Sequence, residues 1–518
     1  MANKRVSEYQ HLANQLGLIF FGCDGTMTQW SHPSNPLLKL FGISGRDLAL
    51  KPDLWIEKTP ERLRDQLKTD FESAGRGGKP GYLTFSLLSD GLGERTLKCN
   101  YCPMPALDEP VKFICTVEDI TESTKFEREA AKALDHDIEV SARIQKALLT
   151  EAFSFEGGDM QIAAETLPSS KVDGDFFEFI QLDGGSMDFI VGDVMGKGIS
   201  AALLSAAVKT SFLKSIIGSQ RNGGVLPEIK SILSGVNRAI GSQLVTLENF
   251  CTLFYCRLLM DRPAVRFIDA GHTCFVYYNA KDESCWTVKG SNMPIGFMPQ
   301  QDFRQFLLPL SKGDVLFFYS DGITEVMNSE GEQFGFKRLM HLISTSHSLS
   351  SVEIIKKILN VTFYFASSEF KDDVTAVVVK TTAAREIPLI ERSYKELEFS
   401  SADLSAVREK FESDVREFLP KKRGADAFAL ALIEAVANSL VHTGTLYSMS
   451  WRIYDSAIEA TLDWSGDDFD WYSIREPNLA EFQESGFGMY IIQTIADSVI
   501  LMDGIGNRKR MEIFKELK

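Results

Sequence analysis

The chain has 518 residues, of which 44% are hydrophobic and 24% charged, an ordinary globular composition that predicts about three domains at roughly 150 residues each. A net charge of −16 lacks the basic surplus of a general nucleic-acid binder, so nucleic acid is not expected as a partner. No apolar run is expected to reach the roughly 18–20 residues of a membrane helix, and the N-terminus (Met-Ala-Asn-Lys-Arg-Val-Ser-Glu) lacks an apolar signal core. A cytoplasmic protein with no membrane partner is therefore expected.

Residues 14–122 read as short strands and helices. Leu18–Phe21 is a strand with a turn at Asp24-Gly25, and Thr84–Leu88 is a strand with a hairpin turn at Asp90-Gly91. Arg95–Cys102 and Lys112–Val117 close the set. Cys99 and Cys102 form a CxxC, but residues three apart on a strand face opposite sides, which argues against a metal or redox pair. The other cysteines lie in strand-like apolar segments such as Phe250–Cys256, the setting of reduced, buried thiols.

From Glu122 to about Glu151 an apolar residue recurs every four positions (Phe126, Ala130, Leu134, Ile138, Ala142), which predicts one charged amphipathic helix able to pair with a second copy or pack on the next domain. Its His136 lacks the following residues of a phosphoacceptor box and reads as a solvated helix histidine. Residues 152–382 alternate strands (Asp188–Val191, Phe250–Leu259, Ala264–Ile268, Cys274–Tyr278, Val315–Tyr319, Val374–Val379) with helical stretches (Ile199–Ser215, Pro227–Leu244), which predicts a two-sheet sandwich flanked by helices. A third unit opens near Glu386–Ile390 and runs to the end.

Four Asp-centred motifs carry the chemistry: Val172–Glu178, Gly192–Gly198, Ser320–Glu325 and Lys371–Thr375. Each sets a carboxylate at or beside an apolar run, where an unpaired charge is costly. Hard divalent cations are the usual reason to gather carboxylates, and two ions about 3.5–4 Å apart can position a water for in-line attack on a phosphoryl group. Any one Asp-Gly pair alone could be a turn.

These motifs, together with Ser141–Leu149, Ile199–Leu204, Asp269–His272 and Met293–Gly296, make residues 140–382 resemble the metal-dependent (PPM-type) serine/threonine phosphatases of the SpoIIE/RsbU-like branch. The resemblance implies Asp175, Asp193, Asp321 and Asp372 as ligands of two Mn²⁺ or Mg²⁺ ions, with the backbone carbonyl of Val194 as a further ligand. Asp173 stands where the family usually has glycine, and Lys197 where relatives often carry histidine, so no general acid is assigned. His272 reads as a structural turn.

Residues 14–121 resemble a PAS sensor domain in their pattern of elements. In the third unit, Glu434 and Asn438 share one face of a helical run from Ala427 to His442. Asp463-Trp-Ser-Gly466 follows a strand, and a polar loop then ends in Gly486-Phe-Gly488. This order resembles the GHKL-type ATPases of the anti-sigma-factor serine kinase branch. It implies ATP with Mg²⁺, Asn438 as the Mg²⁺ ligand, Glu434 as the base for a substrate hydroxyl and Asp463 as the adenine-reading carboxylate. Gly466 belongs to the same set, and Gly486 and Gly488 would admit phosphates to backbone amides. The usual Asp-x-Gly spacing is stretched here, and the glycine loop is lean.

The expected organisation is multidomain α+β: a PAS-like sensor (1–121), a linker helix (122–151), a PPM-type β-sandwich flanked by helices (152–383) and a GHKL α/β sandwich (384–518). The expected function is a signal-responsive switch, homodimeric through PAS domain and linker. It would dephosphorylate and phosphorylate a STAS-type anti-sigma-factor antagonist, with a sigma factor as a further candidate partner. The alternative is a phosphatase whose C-terminal module only binds nucleotide or partner; a sensor histidine kinase and a non-catalytic scaffold are weaker rivals.

Overall fold

The computed structural model describes residues 2–24, 29–77, 79–89, 93–103, 112–126, 152–167, 174–182, 185–221, 226–260, 262–367, 370, 372–384, 386–395, 401–420, 424–443, 446–466 and 487–517. The expected linker helix beyond residue 126, with His136, and also Asp173 and Gly486, lie outside them. The chain divides into two compact units, Met1–Asp137 and Ile138–Lys518.

The first unit holds a five-stranded antiparallel sheet, in the order Trp30–Ser31, Ile19–Cys23, Phe113–Asp119, Gly93–Pro103, Gly81–Ser89. Four α-helices and a 3-10 turn between residues 35 and 77 are inserted between its second and third strands in the chain. Their Leu37, Phe41, Leu48 and Phe71 bury against sheet residues, with Trp30 stacked between Phe21 and Trp55. Alternation puts Cys99 in the core and leaves Cys102 exposed, so the CxxC is split across the sheet. The chain opens with a helix, Ala2–Leu16, which packs little more than Val6 and Ala13 against Phe20.

In the second unit two sheets face each other. One runs Phe306–Pro309, Ala264–Ala270, Cys251–Leu259, Met187–Val194, Phe176–Gln181. The other includes Phe275–Asn279, Val315–Tyr319, Val374–Thr381 and Met160–Leu167. Between them Phe177, Phe189, Val191 and Phe254 meet Phe275, Phe318, Val377 and Val379. Helices Ile199–Arg221 and Ile229–Thr246 cover the outside of the first sheet, and Gly335–Ser344 and Ser351–Phe365 that of the second. The strands are buried on both faces and read as apolar runs for that reason. Asp188 and Arg257, opposite each other on adjacent strands, form a buried pair at 2.6 and 2.9 Å, with the Tyr255 hydroxyl also donating to Asp188.

Two expectations are corrected. The stretch Ser200–Gly218 is long and apolar enough to cross a membrane by length and composition, contrary to the sequence reading. In the structure its Val208, Phe212 and Ile216 are buried in the cluster under the first sheet. The boundary expected at 383/384 also does not separate two units. Strand Ser498–Gly504 pairs antiparallel with Ser284–Val288, so the second sheet runs on through Arg508–Glu516, Ala457–Ser465, Leu446–Ile453 and Ile390–Lys395 to eleven strands.

Arg510 pins this junction. Its guanidinium lies 4.4 Å over the buried Trp286 ring, donates to Asp463 at 2.6 and 3.0 Å, and reaches Asp282 at 2.8 Å. Arg508 packs against the same ring. Removing one partner of a buried pair strands the other charge, at about 3–5 kcal/mol. Arg510→Met should therefore lower unfolding stability by about 3 kcal/mol, measured by urea denaturation; an unchanged midpoint would show that the junction contributes little.

Candidate active site

Pairing of strand ends gathers the acidic motifs at one end of the sandwich. Phe176 pairs with Gly192, so Asp175 and Asp193 meet at the edge of the first sheet. Tyr319 pairs with Ala376, so Asp321, which opens a short helix Asp321–Thr324, comes beside Asp372 and Asp373 at the end of the second. Two glycines allow the backbones to close in. A Cβ on Gly174 would sit 2.2 Å from the Val194 carbonyl oxygen and 2.7 Å from Asp193 Oδ1. One on Gly322 would sit 2.1 Å from the Asp373 carbonyl. No other residue fits either place.

Asp175, Asp193, Asp321, Asp372 and Asp373 line one cleft with Met195, Lys197, Phe250 and Thr252. Val194 sits beside Gly174, to whose carbonyl its N–H donates at 3.3 Å. All four expected aspartates are thus brought together. Burial, then the Asp193 charge, pushes the Asp175 carboxyl well above the ordinary range. Burial, then Asp321 and Asp372, pushes Asp193 up to about 7. Burial and then Asp372 raise Asp321.

Among the described residues no three acidic, His or Cys side chains close around a point as they stand. The set nevertheless fits divalent cations. The donors are hard oxygens that repel one another, Asp175 Oδ2 is buried with no hydrogen-bond partner among the described residues, and Lys197 sits where positive charge is wanted. Lys197 Nζ donates to both oxygens of Asp372 at 2.9 Å. Divalent ions bound here would position and activate the attacking water. The chain's own part is to hold the carboxylates, with the Lys197 ammonium on Asp372 at the cleft.

Asp373 and Lys197 carry more than the sequence reading gave them. The double aspartate in the motif was the available signal for the first; the Lys197–Asp372 pair leaves no local trace. His272 lies behind the cleft. Its Nδ1 is 3.0 Å from Thr252 Oγ1, and Thr252 pairs directly with Asp193. Burial pushes its imidazole down to about 4, which keeps it neutral and suits the structural role expected of it.

In the C-terminal part, helix Ala425–Thr443 carries Glu434 and Asn438 on one face. Helix Phe487–Ile495 brings Gly488 onto them: a Cβ there would lie 2.7 Å from Asn438 Nδ2 and 2.9 Å from Glu434 Oε2. Asp463 does not join them. Along strand Ala457–Ser465, Ile458, Ala460, Leu462 and Trp464 pack with the helices, so Asp463 faces the other side. There it accepts from Arg510 and from Ser448 Oγ at 2.8 Å. The expected adenine-reading role is corrected on this ground. Gly466 closes the strand, donating to the Asn507 carbonyl at 3.4 Å.

Fold and site define a metal-dependent serine/threonine protein phosphatase. The family described as Stage II sporulation protein E (SpoIIE) matches residues 183–382. Phosphoserine phosphatase RsbU of Bacillus subtilis (strain 168) is 30% identical over 244 residues, covering 47% of this chain and 70% of RsbU. Phosphoserine phosphatase RsbP of the same organism is 24% identical over 189 residues, covering 36% of this chain and 45% of RsbP. Among solved structures, the RsbU and RsbW domains of a Mycobacterium tuberculosis protein align with 69% of this chain and 93% of theirs, at 18% identity and a TM-score of 0.36. The chain belongs to the SpoIIE/RsbU family of phosphatases.

Because the Lys197 ammonium and a divalent ion compete for Asp372, Lys197→Met should tighten Mn²⁺ binding several-fold. Calorimetric titration checks this, and weaker binding by the variant would contradict the placement of Lys197.

Proposed function

We propose that this protein removes phosphate from a serine or threonine of a STAS-type anti-sigma-factor antagonist, using Mn²⁺ or Mg²⁺ held by Asp175, Asp193, Asp321, Asp372 and the Val194 carbonyl. The observation that carries the reading is the convergence of five carboxylates from two sheets on one cleft that also holds the Lys197 ammonium. Lys197 would leave Asp372 as ions bind and turn to the incoming phosphate. Phosphoserine phosphatase is the printed activity of RsbU and RsbP, which supports the substrate class.

In the same reading, residues 384–518 bind ATP with Mg²⁺ and phosphorylate the same partner, with Glu434 as base, Asn438 on the ion and Gly486 and Gly488 at the phosphates. The meeting of Glu434, Asn438 and Gly488 supports this. A PAS-like N-terminal unit, with the linker helix as a dimer contact, would set which activity prevails; the five-stranded sheet with its inserted helices is compatible with that role. The engagement of Asp463 by Arg510 favours a second reading, in which the C-terminal part docks nucleotide or partner, a sigma factor among the candidates, without turnover.

Partner phosphate followed with ATP, and then with Mn²⁺ and no ATP, separates the two. Addition in the first case and removal in the second supports both activities. Removal without addition leaves a phosphatase with a docking module, and no removal overturns the proposal.

A further inference from the structure

We infer that the mouth of the carboxylate cleft carries an apolar docking strip, by which the enzyme recognises the folded surface around the substrate's phosphorylated residue as well as the phosphate. This rests on the phosphatase reading with a protein substrate. Three backbone segments make the strip. The Met195 N–H donates to the Phe250 carbonyl at 3.0 Å, and Cys251 and Ile295 exchange both backbone bonds at 2.9 Å. Gly296, at φ +85°, comes so close that a Cβ would lie 2.6 Å from Leu244 Cβ and 3.2 Å from the Asn249 carbonyl. Asn237 Nδ2 donates to the Met298 carbonyl at 3.0 Å and Gln301 Nε2 to that of Met293 at 3.1 Å.

On this tied-down backbone Met195, Leu247, Met293, Phe297 and Met298 stand 38–58% exposed. Single exposed apolar residues are common, but five grouped on neighbouring, hydrogen-bonded segments are the mark of an interaction surface, and methionine adapts well to a partner's shape. The geometry also selects the occupant. Met195 and Phe250 line the cleft itself, beside Asp193 and Lys197. A protein that delivers a phosphorylated side chain to those carboxylates must lay its flanking surface along the strip, whereas a small phosphate ester does not extend that far. The partner therefore carries apolar side chains next to its phosphorylated serine or threonine. Apolar contact also offsets the repulsion that five cleft carboxylates impose on an anionic substrate.

The test compares a serine-phosphorylated STAS-domain protein with p-nitrophenyl phosphate, both with Mn²⁺, on the full chain. Phe297→Asp and Met293→Asp, at positions that do not line the cleft, should raise KM for the phosphoprotein about tenfold or more while p-nitrophenyl phosphate turnover stays at the wild-type rate. Phe297→Ala should move KM in the same direction without adding a charge. Phe336→Asp, an equally exposed site on helix Gly335–Ser344, should change neither substrate. An unchanged phosphoprotein KM in the strip variants, or an equal loss on both substrates, overturns the inference. Failure of the wild-type chain to hydrolyse p-nitrophenyl phosphate would instead overturn the phosphatase reading on which it rests.

Discussion

The structure turns on the mutual repulsion of five carboxylates held at one end of a sandwich. Left to themselves, Asp175, Asp193, Asp321, Asp372 and Asp373 would separate or take up protons; burial first, and the neighbouring carboxylates second, push Asp175, Asp193 and Asp321 upward. They stay together because they sit at or just beyond the ends of strands whose side chains are mostly buried. The large core between the sheets thus supplies the stability against which the site is strained. Gly174 and Gly322, where no side chain has room, let the backbone close in on Val194 at the first rim and on Asp373 at the second. Positive charge is what this arrangement lacks. Lys197 provides one part and divalent ions fit the rest.

The same second sheet that presents Asp321 and Asp372 continues into the C-terminal part. Asp282 and Trp286 from the phosphatase part meet Asp463, Arg508 and Arg510 from the C-terminal part to make that junction. The helices carrying Glu434, Asn438 and Gly488 lie on the opposite face of the sheet and are left available. Junction and candidate nucleotide site are therefore divided between two faces of one sheet, so the polar groups spent on the first are withdrawn from the second.

Much of this was legible in the sequence. Val315–Tyr319 and Val374–Thr381 read as strands because apolar, β-branched and aromatic residues fill both faces, and the four acidic motifs stood out because aspartates interrupt such runs. What the sequence hid was long-range. The pairing of Ser284–Val288 with Ser498–Gly504 joins edges more than two hundred residues apart and leaves no local pattern. Motif order points to Asp463, but strand alternation turns it away: Trp464, not Asp463, shares the face of the helices. Scattered serines and two lysines divide the apolar stretch Ser200–Gly218, though its average is as apolar as a membrane span. The polar helix Ala2–Leu16, with only a narrow buried stripe, offered little periodicity to detect.

The most direct test of the central claim is Mn²⁺ binding and Mn²⁺-dependent phosphate release by wild type and Asp193→Asn, with folding checked by circular dichroism. If the carboxylates form one metal-holding centre, the folded variant loses both Mn²⁺ affinity and phosphate release from the phosphorylated partner. A folded Asp193→Asn that binds Mn²⁺ and releases phosphate like the wild type would contradict the account.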